Sequence, residues 1–152
     1  MGKTVRAHQP VADLMAEECL AMRIRFLNRT ITGIYDEALR PLGVTAGQLN
    51  ILAVVARRGP VAPGLVARRL NMEKSTLSRN VERMRNHGWL GVAPGGSGRQ
   101  QALELLPRGR RLLEQSLPLW KSAQKRTRGI LGQRGARSVL GAAEAVWSQL
   151  EA

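Results

Sequence analysis

The segment Pro94-Gly95-Gly96-Ser97-Gly98-Arg99 restricts this chain more than any other stretch. A proline and three glycines within six residues suit neither a helix nor a strand, so the segment is a loop, and its tip is basic. Two short strand-like runs flank it, Trp89 to Ala93 and Gln101 to Leu106, which makes the whole a hairpin. The rest of the chain carries helical periodicity almost throughout. The expected fold is therefore mainly α with one small β-hairpin, and the helices on either side decide what the hairpin is for.

From Val11 to about Leu42, apolar residues (Leu14, Cys19, Met22, Phe26, Ile31, Ile34, Leu39) recur at spacings of three to five, which predicts a long helix stopped by Pro41 and Gly43. Thr45-Ala46-Gly47-Gln48 matches a capping box and opens a second helix that ends at Arg57-Arg58-Gly59-Pro60. A short third helix starts at Pro63, with Leu65, Val66 and Leu70 on its apolar side. After a turn at Asn71-Met72, a fourth runs from about Glu73 to His87, with Leu77, Val81 and Met84 on its core face, and Gly88 breaks it. Beyond the hairpin, Pro107 and Gly109 reopen the helical pattern. A fifth helix (Leu112, Leu113, Leu117, Leu119, Trp120) reaches about Ile130, and Pro118 is expected to kink or divide it. Gly132 and Gly135 separate it from a last helix striped by Val139, Leu140, Ala143, Val146, Trp147 and Leu150.

Charge narrows the partner. The 152 residues include 24 Lys and Arg against 11 Asp and Glu, a formal net charge of +13. Residues 57 to 111 hold twelve of the basic residues and only three acids (Glu73, Glu82, Glu104). Such a field attracts a polyanion, and nucleic acid is the commonest for a protein of this type, though acidic lipid and simple solubility answer to the same charge. Cys19 is the single cysteine, so no internal disulfide can form. Neither a signal peptide nor a membrane-spanning run is legible, and the expected location is the cytoplasm with no membrane partner.

A helix, a tight turn and a second helix, followed directly by a basic-tipped hairpin, form the layout of a winged helix-turn-helix. A helix fits the DNA major groove, with its outer face meeting base edges and its inner face anchored in the domain. With Leu77, Val81 and Met84 inward, a rotation of about 100° per residue puts Ser75, Ser78, Arg79, Glu82 and Arg83 on or near the outer face. Lys74, Ser75, Thr76, Ser78, Arg79, Arg83 and the hairpin's Arg99 are the candidate DNA-binding residues. Glu82 is no obvious reader, but it could hold Arg79 or Arg83 by local pairing. A lone helix of this kind would more simply be a solvated surface; the paired helix and the hairpin change that balance.

Gly64-Leu65-Val66-Ala67-Arg68-Arg69-Leu70 and Met72-Glu73-Lys74-Ser75-Thr76-Leu77-Ser78-Arg79-Asn80-Val81-Glu82-Arg83-Met84 resemble helices three and four of the MarR family, as does Gly88-Trp89-Leu90 after them. Gly98-Arg99 through Leu103-Glu104-Leu105-Leu106-Pro107-Arg108-Gly109 is similar to the family's wing and the Leu-Thr-Pro-x-Gly pattern that follows it. The resemblance runs in element order over roughly residues 12 to 150 and is sharpest from 64 to 109. It implies an obligate homodimer joined by the first, fifth and sixth helices, acting as a regulator, and as a signal-responsive repressor, on palindromic duplex DNA. Arg99 matches the family's minor-groove arginine. The wing's usual Asp-x-Arg is Ser97-Gly98-Arg99 here, and Leu106 stands where Thr is usual, so the residue that normally positions that arginine is absent. The expected organisation is an N-terminal arm at 1–10, a dimerisation helix at 11–44, the DNA-binding domain at 45–109 and dimerisation helices at 110–152. The amphipathic flanks at 112–120 and 139–150 exceed what a small winged domain needs for its own core. They bury against a partner or fold back on their own domain.

Some relatives in that family sense oxidants through a cysteine in the first helix, and Cys19 occupies such a helix. Arg23, one turn on, would favour its thiolate; Glu17 and Glu18 would oppose it. The alternative is a small buried hydrophobe, favoured because the tyrosines that accompany the family's peroxide sensors near the second helix are missing. Other relatives are released from DNA by small aromatic or phenolic effectors, for which Phe26, Tyr35, Trp89 and Trp120 are the candidate lining, each equally suited to ordinary core packing. An enzyme is not expected. His8 and His87 have no metal-ligand spacing, and Gly95-Gly96-Ser97-Gly98 is neither a nucleophile elbow nor a phosphate loop, so neither metal nor cofactor is implied. A winged-helix module for protein contacts would not need the basic residues at 79 and 83, and an RNA binder would carry more aromatic platforms.

Overall fold

The computed structural model describes residues 9–94 and 101–151, which form two compact units, residues 1–33 and 34–152. The fold is mainly helical with one two-stranded antiparallel hairpin. Helices α1 (Gln9–Glu18) and α2 (Leu20–Leu39) lie where the sequence predicts a single one. The helix starts slightly earlier than its periodicity suggests and places Pro10 in the first turn, where a missing N–H costs nothing. The ladder is carried through Cys19 by two stretched bonds, from Cys19 N–H to the Met15 carbonyl and from Arg23 N–H to the Cys19 carbonyl, both 3.2 Å. The Arg23 guanidinium donates to the Glu17 carbonyl at 2.9 Å, supplying a donor in the loosened turn. Leu14, Met15, Leu20, Met22, Ile24 and Phe26 in this first unit are all exposed.

In the second unit, Ile34 and Leu39 are buried, and a 3₁₀ turn, Arg40–Leu42, closes on Gly43 with φ 65°. Helix α3 (Ala46–Arg58) opens with the expected capping box. Thr45 Oγ1 accepts from Gln48 N–H at 3.2 Å, and Gln48 Oε1 accepts from Thr45 N–H at 3.1 Å. A further acceptor comes from outside the motif: Asp36 Oδ1 takes the Ala46 N–H at 2.7 Å, so α2 caps α3. Leu49, Ile51, Leu52 and Val55 then fill the centre of the unit. Each such side chain contributes on the order of 1.5–3 kcal/mol by leaving water.

Helices α4 (Pro63–Arg69) and α5 (Lys74–Asn86) follow, then β1 (Leu90–Pro94) and β2 (Gln101–Leu105). The strands pair antiparallel, with Leu90 opposite Leu105, Val92 opposite Leu103 and Pro94 opposite Gln101. No strand pattern precedes α4 in the sequence, yet Val61 bridges to Leu103 through reciprocal bonds of 2.9 and 2.8 Å, adding a one-residue third strand position alongside β2. That contact buries Val61 and ties the start of the helix-turn-helix to the wing.

Helix α6 (Pro107–Glu151) departs from helical torsions only at Gly132 (φ 67°, ψ 170°), where the sequence expects one helix to end and the next to begin. It passes through Pro118 without dividing. The carbonyl of Glu114 loses its usual donor there, but both residues are exposed, so water can serve it. Leu112 joins the core, Arg126 pairs with Glu37 at 2.7 Å on the surface, and Arg69 lies over the Trp147 ring at 5.0 Å. Among the described residues no single helix is long and apolar enough to cross a membrane.

Gly109 is the most closely packed of the described glycines. A Cβ there would sit 2.2 Å from the Trp89 carbonyl oxygen and 2.8 Å from Leu105 Cδ1. Gly109→Ala should therefore destabilise the protein by about 1–3 kcal/mol through overpacking against backbone. Gly129→Ala, on an open face of α6, should be neutral or stabilising by up to about 1 kcal/mol. Chemical denaturation of the two variants checks this, and equal midpoints would refute the packing account.

Candidate nucleic-acid interface

The turn between α4 and α5 sets the geometry of the site. Helix α4 ends with Asn71 N–H bonded to the Arg68 carbonyl at 3.1 Å and Met72 N–H bonded to the Ala67 carbonyl at 2.8 Å. This Schellman closure needs a left-handed residue, and Asn71 supplies it with φ 45°, the one non-glycine residue at positive φ among those described. Asparagine tolerates that conformation better than other residues with a Cβ. Helix α5 ends in the same way: Gly88 at φ 68° donates to the Arg85 carbonyl at 2.8 Å, and Trp89 donates to the Met84 carbonyl at 2.9 Å. Both helices thus stop sharply, one to start the next helix and the other to start the wing.

Between those stops, α5 splits into two faces. Leu77 and Met84 are buried, and Val81 packs against the same core. Lys74, Ser75, Ser78, Arg79 and Arg83 are exposed; Thr76 is half-buried. Asn80 is drawn inward and donates from Nδ2 to the Thr76 carbonyl at 3.0 Å. Glu82 is exposed and makes no ion pair with Arg79 or Arg83, so among the described residues both guanidiniums are without an intramolecular partner. The N-cap, Glu73, forms no side-chain cap, which leaves the first N–H groups of α5 open beside Lys74 and Ser75. A cleft of about 410 Å³ separates α5 from the strands, bordered by Lys74, Ser78, Arg85 and Gln101. Arg99 lies outside the described residues.

The remaining sequence candidates do not come together at this face. Trp89 is a core residue whose indole stacks on His87 at 4.4 Å and 13°. Trp120 is exposed on α6, and Phe26, also exposed, lies in the first unit. Tyr35 is half-buried, and its hydroxyl donates to Gln124 Oε1. Burial pushes its phenol above the ordinary value of 10.0, against smaller opposing effects of the Thr127 hydroxyl and Arg128. Cys19 is half-buried. No set of three His, Cys, Asp or Glu among the described residues could hold a metal ion. Sequence reasoning missed the Arg108 and Arg111 side chains, which border a cavity with His87 and Trp89; only the folded chain places the start of α6 against the end of α5.

A family model described as the MarR family matches residues 42–100. The chain is similar to the M. tuberculosis transcriptional regulator MosR, at 31% identity over 87% of this chain and 98% of that one, with a TM-score of 0.74. It is also similar to MosR in complex with DNA, at 32% identity over 86% of this chain and 98% of that one, TM-score 0.72. A mutant MarR from E. coli complexed with operator DNA shares the fold at 20% identity and a TM-score of 0.77, over 88% of this chain and 96% of that one. No curated protein matches the chain significantly.

Two substitutions test the local account. Asn71→Val should cost about 1–2 kcal/mol by forcing a β-branched residue into the left-handed region, whereas Asn71→Gly should retain stability; unfolding midpoints decide between them. Because the folded state holds the Tyr35 proton more tightly than the unfolded chain does, that contribution is complete below about pH 10 and lost as pH rises through the folded value. Wild type should therefore lose more stability than Tyr35→Phe above pH 10, and parallel losses would refute the buried-phenol assignment.

Proposed function

The chain belongs to the MarR family of winged helix-turn-helix transcriptional regulators, and from that premise we propose that it acts as a homodimeric, ligand-responsive repressor on palindromic duplex DNA. The observation that carries this reading is the divided α5: Leu77 and Met84 fix the helix in the core while Ser75, Ser78, Arg79 and Arg83 are exposed. Arginine and short hydroxyls are the donors that major-groove base edges and phosphates accept. The open N-terminus of α5, beside Lys74 and Ser75, suits a phosphate. Thr76 and Arg99 complete the assigned set, Thr76 at the helix start and Arg99 reaching the minor groove from the wing.

Support for the homodimer comes from apolar surface. Leu20 is 76% and Phe26 69% exposed on α2, and Ile130, Leu140 and Val146 are exposed on α6. Side chains of this size in number mark a surface that associates. Two copies related by a twofold axis would set two α5 helices into successive major grooves about 10 bp apart. The oxidant-sensing alternative rests on Cys19 alone and has no second observation behind it.

Fluorescence anisotropy with duplex from the gene's upstream region, against a scrambled duplex and across a salt series, tests the function. Arg79→Ala should reduce discrimination between the two duplexes by about 1–3 kcal/mol. Arg99→Ala should weaken both evenly and lower the salt slope by about 1. Undiminished discrimination in Arg79→Ala would refute the base-reading role. Light scattering should give twice the 16.7 kDa chain mass; a monomer at micromolar concentration would refute the dimer.

A further inference from the structure

Helix α6 changes direction once, at Gly132, whose φ of 67° is left-handed and whose missing Cβ would meet nothing within 4 Å. In the arm beyond that joint, residues 133–149, Ala136 is the one buried residue. Ala136, Ala143 and Trp147 stand at i, i+7 and i+11, so they share one face of the arm. Ala143 is half-buried on that face, and Trp147, 40% exposed, carries the Arg69 guanidinium over its ring at 5.0 Å. A segment that buries so little has low local stability, and its placement depends on the few contacts it makes.

Arg69 belongs to α4, which is lightly anchored. That helix is seven residues long, its N-cap Ala62 offers no side-chain cap, and only Val66 and Ala67 are buried. Pro63, Gly64 and Ala67 face the cleft beside α5. At about 100° per residue, Arg69 lies on nearly the opposite side of α4 from Ala67. Trp147 therefore holds the back of α4, two residues before the left-handed turn at Asn71 that leads into α5. We propose that Arg69 and Trp147 are a positioning pair for DNA reading: the arm of α6, jointed at Gly132, braces α4 from behind and so fixes the placement of α5. The pair contacts no base; it acts by reducing the ordering that α5 undergoes on the duplex. A cation over an exposed indole favours the braced arm over the released one by about two- to fivefold. The same arm carries Leu140 and Val146, the apolar surface assigned above to a second copy, so the brace also joins that surface to α4. The positioning role rests on the regulator reading given above; the contact itself does not.

The test combines indole N–H NMR signals of the full-length protein with anisotropy on the upstream and scrambled duplexes. The chain has three tryptophans, Trp89, Trp120 and Trp147, so the Trp147 signal is the one lost in Trp147→Leu. Arg69→Gln should move that signal. Both variants should lower discrimination between the duplexes by about two- to fivefold with the salt slope unchanged, and the double variant should lose no more than either alone. Arg69→Lys, which keeps a cation over the ring, should restore most of the discrimination. Arg137→Gln, which removes an equal charge from an exposed position on the arm, should leave it unchanged. A Trp147 signal indifferent to Arg69→Gln would overturn the pairing. Undiminished discrimination in a variant whose Trp147 signal has moved would overturn the bracing. A salt slope lower by about 1 in Arg69→Gln alone would give Arg69 to a DNA phosphate and overturn the positioning role. Failure of wild type to discriminate, with the Trp147 signal still moved by Arg69→Gln, would overturn the regulator reading and leave the pairing standing.

Discussion

Trp89 is the point at which the second unit is fastened. Its N–H closes α5 by bonding to Met84, its carbonyl accepts the Leu106 N–H at 3.1 Å as α6 begins, and its indole is buried under the His87 ring. Gly109 presses against the same carbonyl so closely that no side chain fits. One residue therefore sets where α5 ends, where the hairpin starts and how α6 leaves. Since interiors pack as densely as organic crystals, a shift at any of the three is felt by the other two. The end of α5 is thereby coupled to the start of the hairpin and to the start of α6.

The same logic explains how so small a unit holds α5 in place. The core is aliphatic, with Leu39, Ile51, Leu52, Val55, Val66, Met84 and Leu90 fully buried, and it leaves little room for α5 to roll. Matched left-handed closures at Asn71 and Gly88 fix the length and direction of the helix without any side-chain cap at its N-terminus. The cap that is missing there is present at α3, where Thr45, Gln48 and Asp36 together satisfy the first N–H groups.

Periodicity alone made most of the elements legible. Leu77, Val81 and Met84 at spacings of four and three defined both the buried and the outward face of α5, because a helix rotates by a fixed angle per residue. Thr45 through Gln48 marked the start of α3, and Gly132 the break in the last long helix, since both depend on local backbone chemistry. The Val61 rung, the Asp36 cap and the stacking of His87 on Trp89 were not legible. Each joins segments whose meeting no local pattern encodes, or, for the last, needs the left-handed turn at Gly88 to bring two near neighbours face to face.

The amino-acid sequence by itself determined the order of the elements, the positive field of the middle third and the division of α5 into core and outward faces, because these follow from residue type and spacing along one helix or one loop. Only the tertiary structure decided which side chains from separate elements share a site. Arg108 and Arg111 are two more basic residues in a basic sequence until α6 is packed against the end of α5, where burial of Leu112 and the close approach of Gly109 to Trp89 bring them beside His87. Long-range contact is set by how the whole core closes, and that is information no short stretch of chain contains.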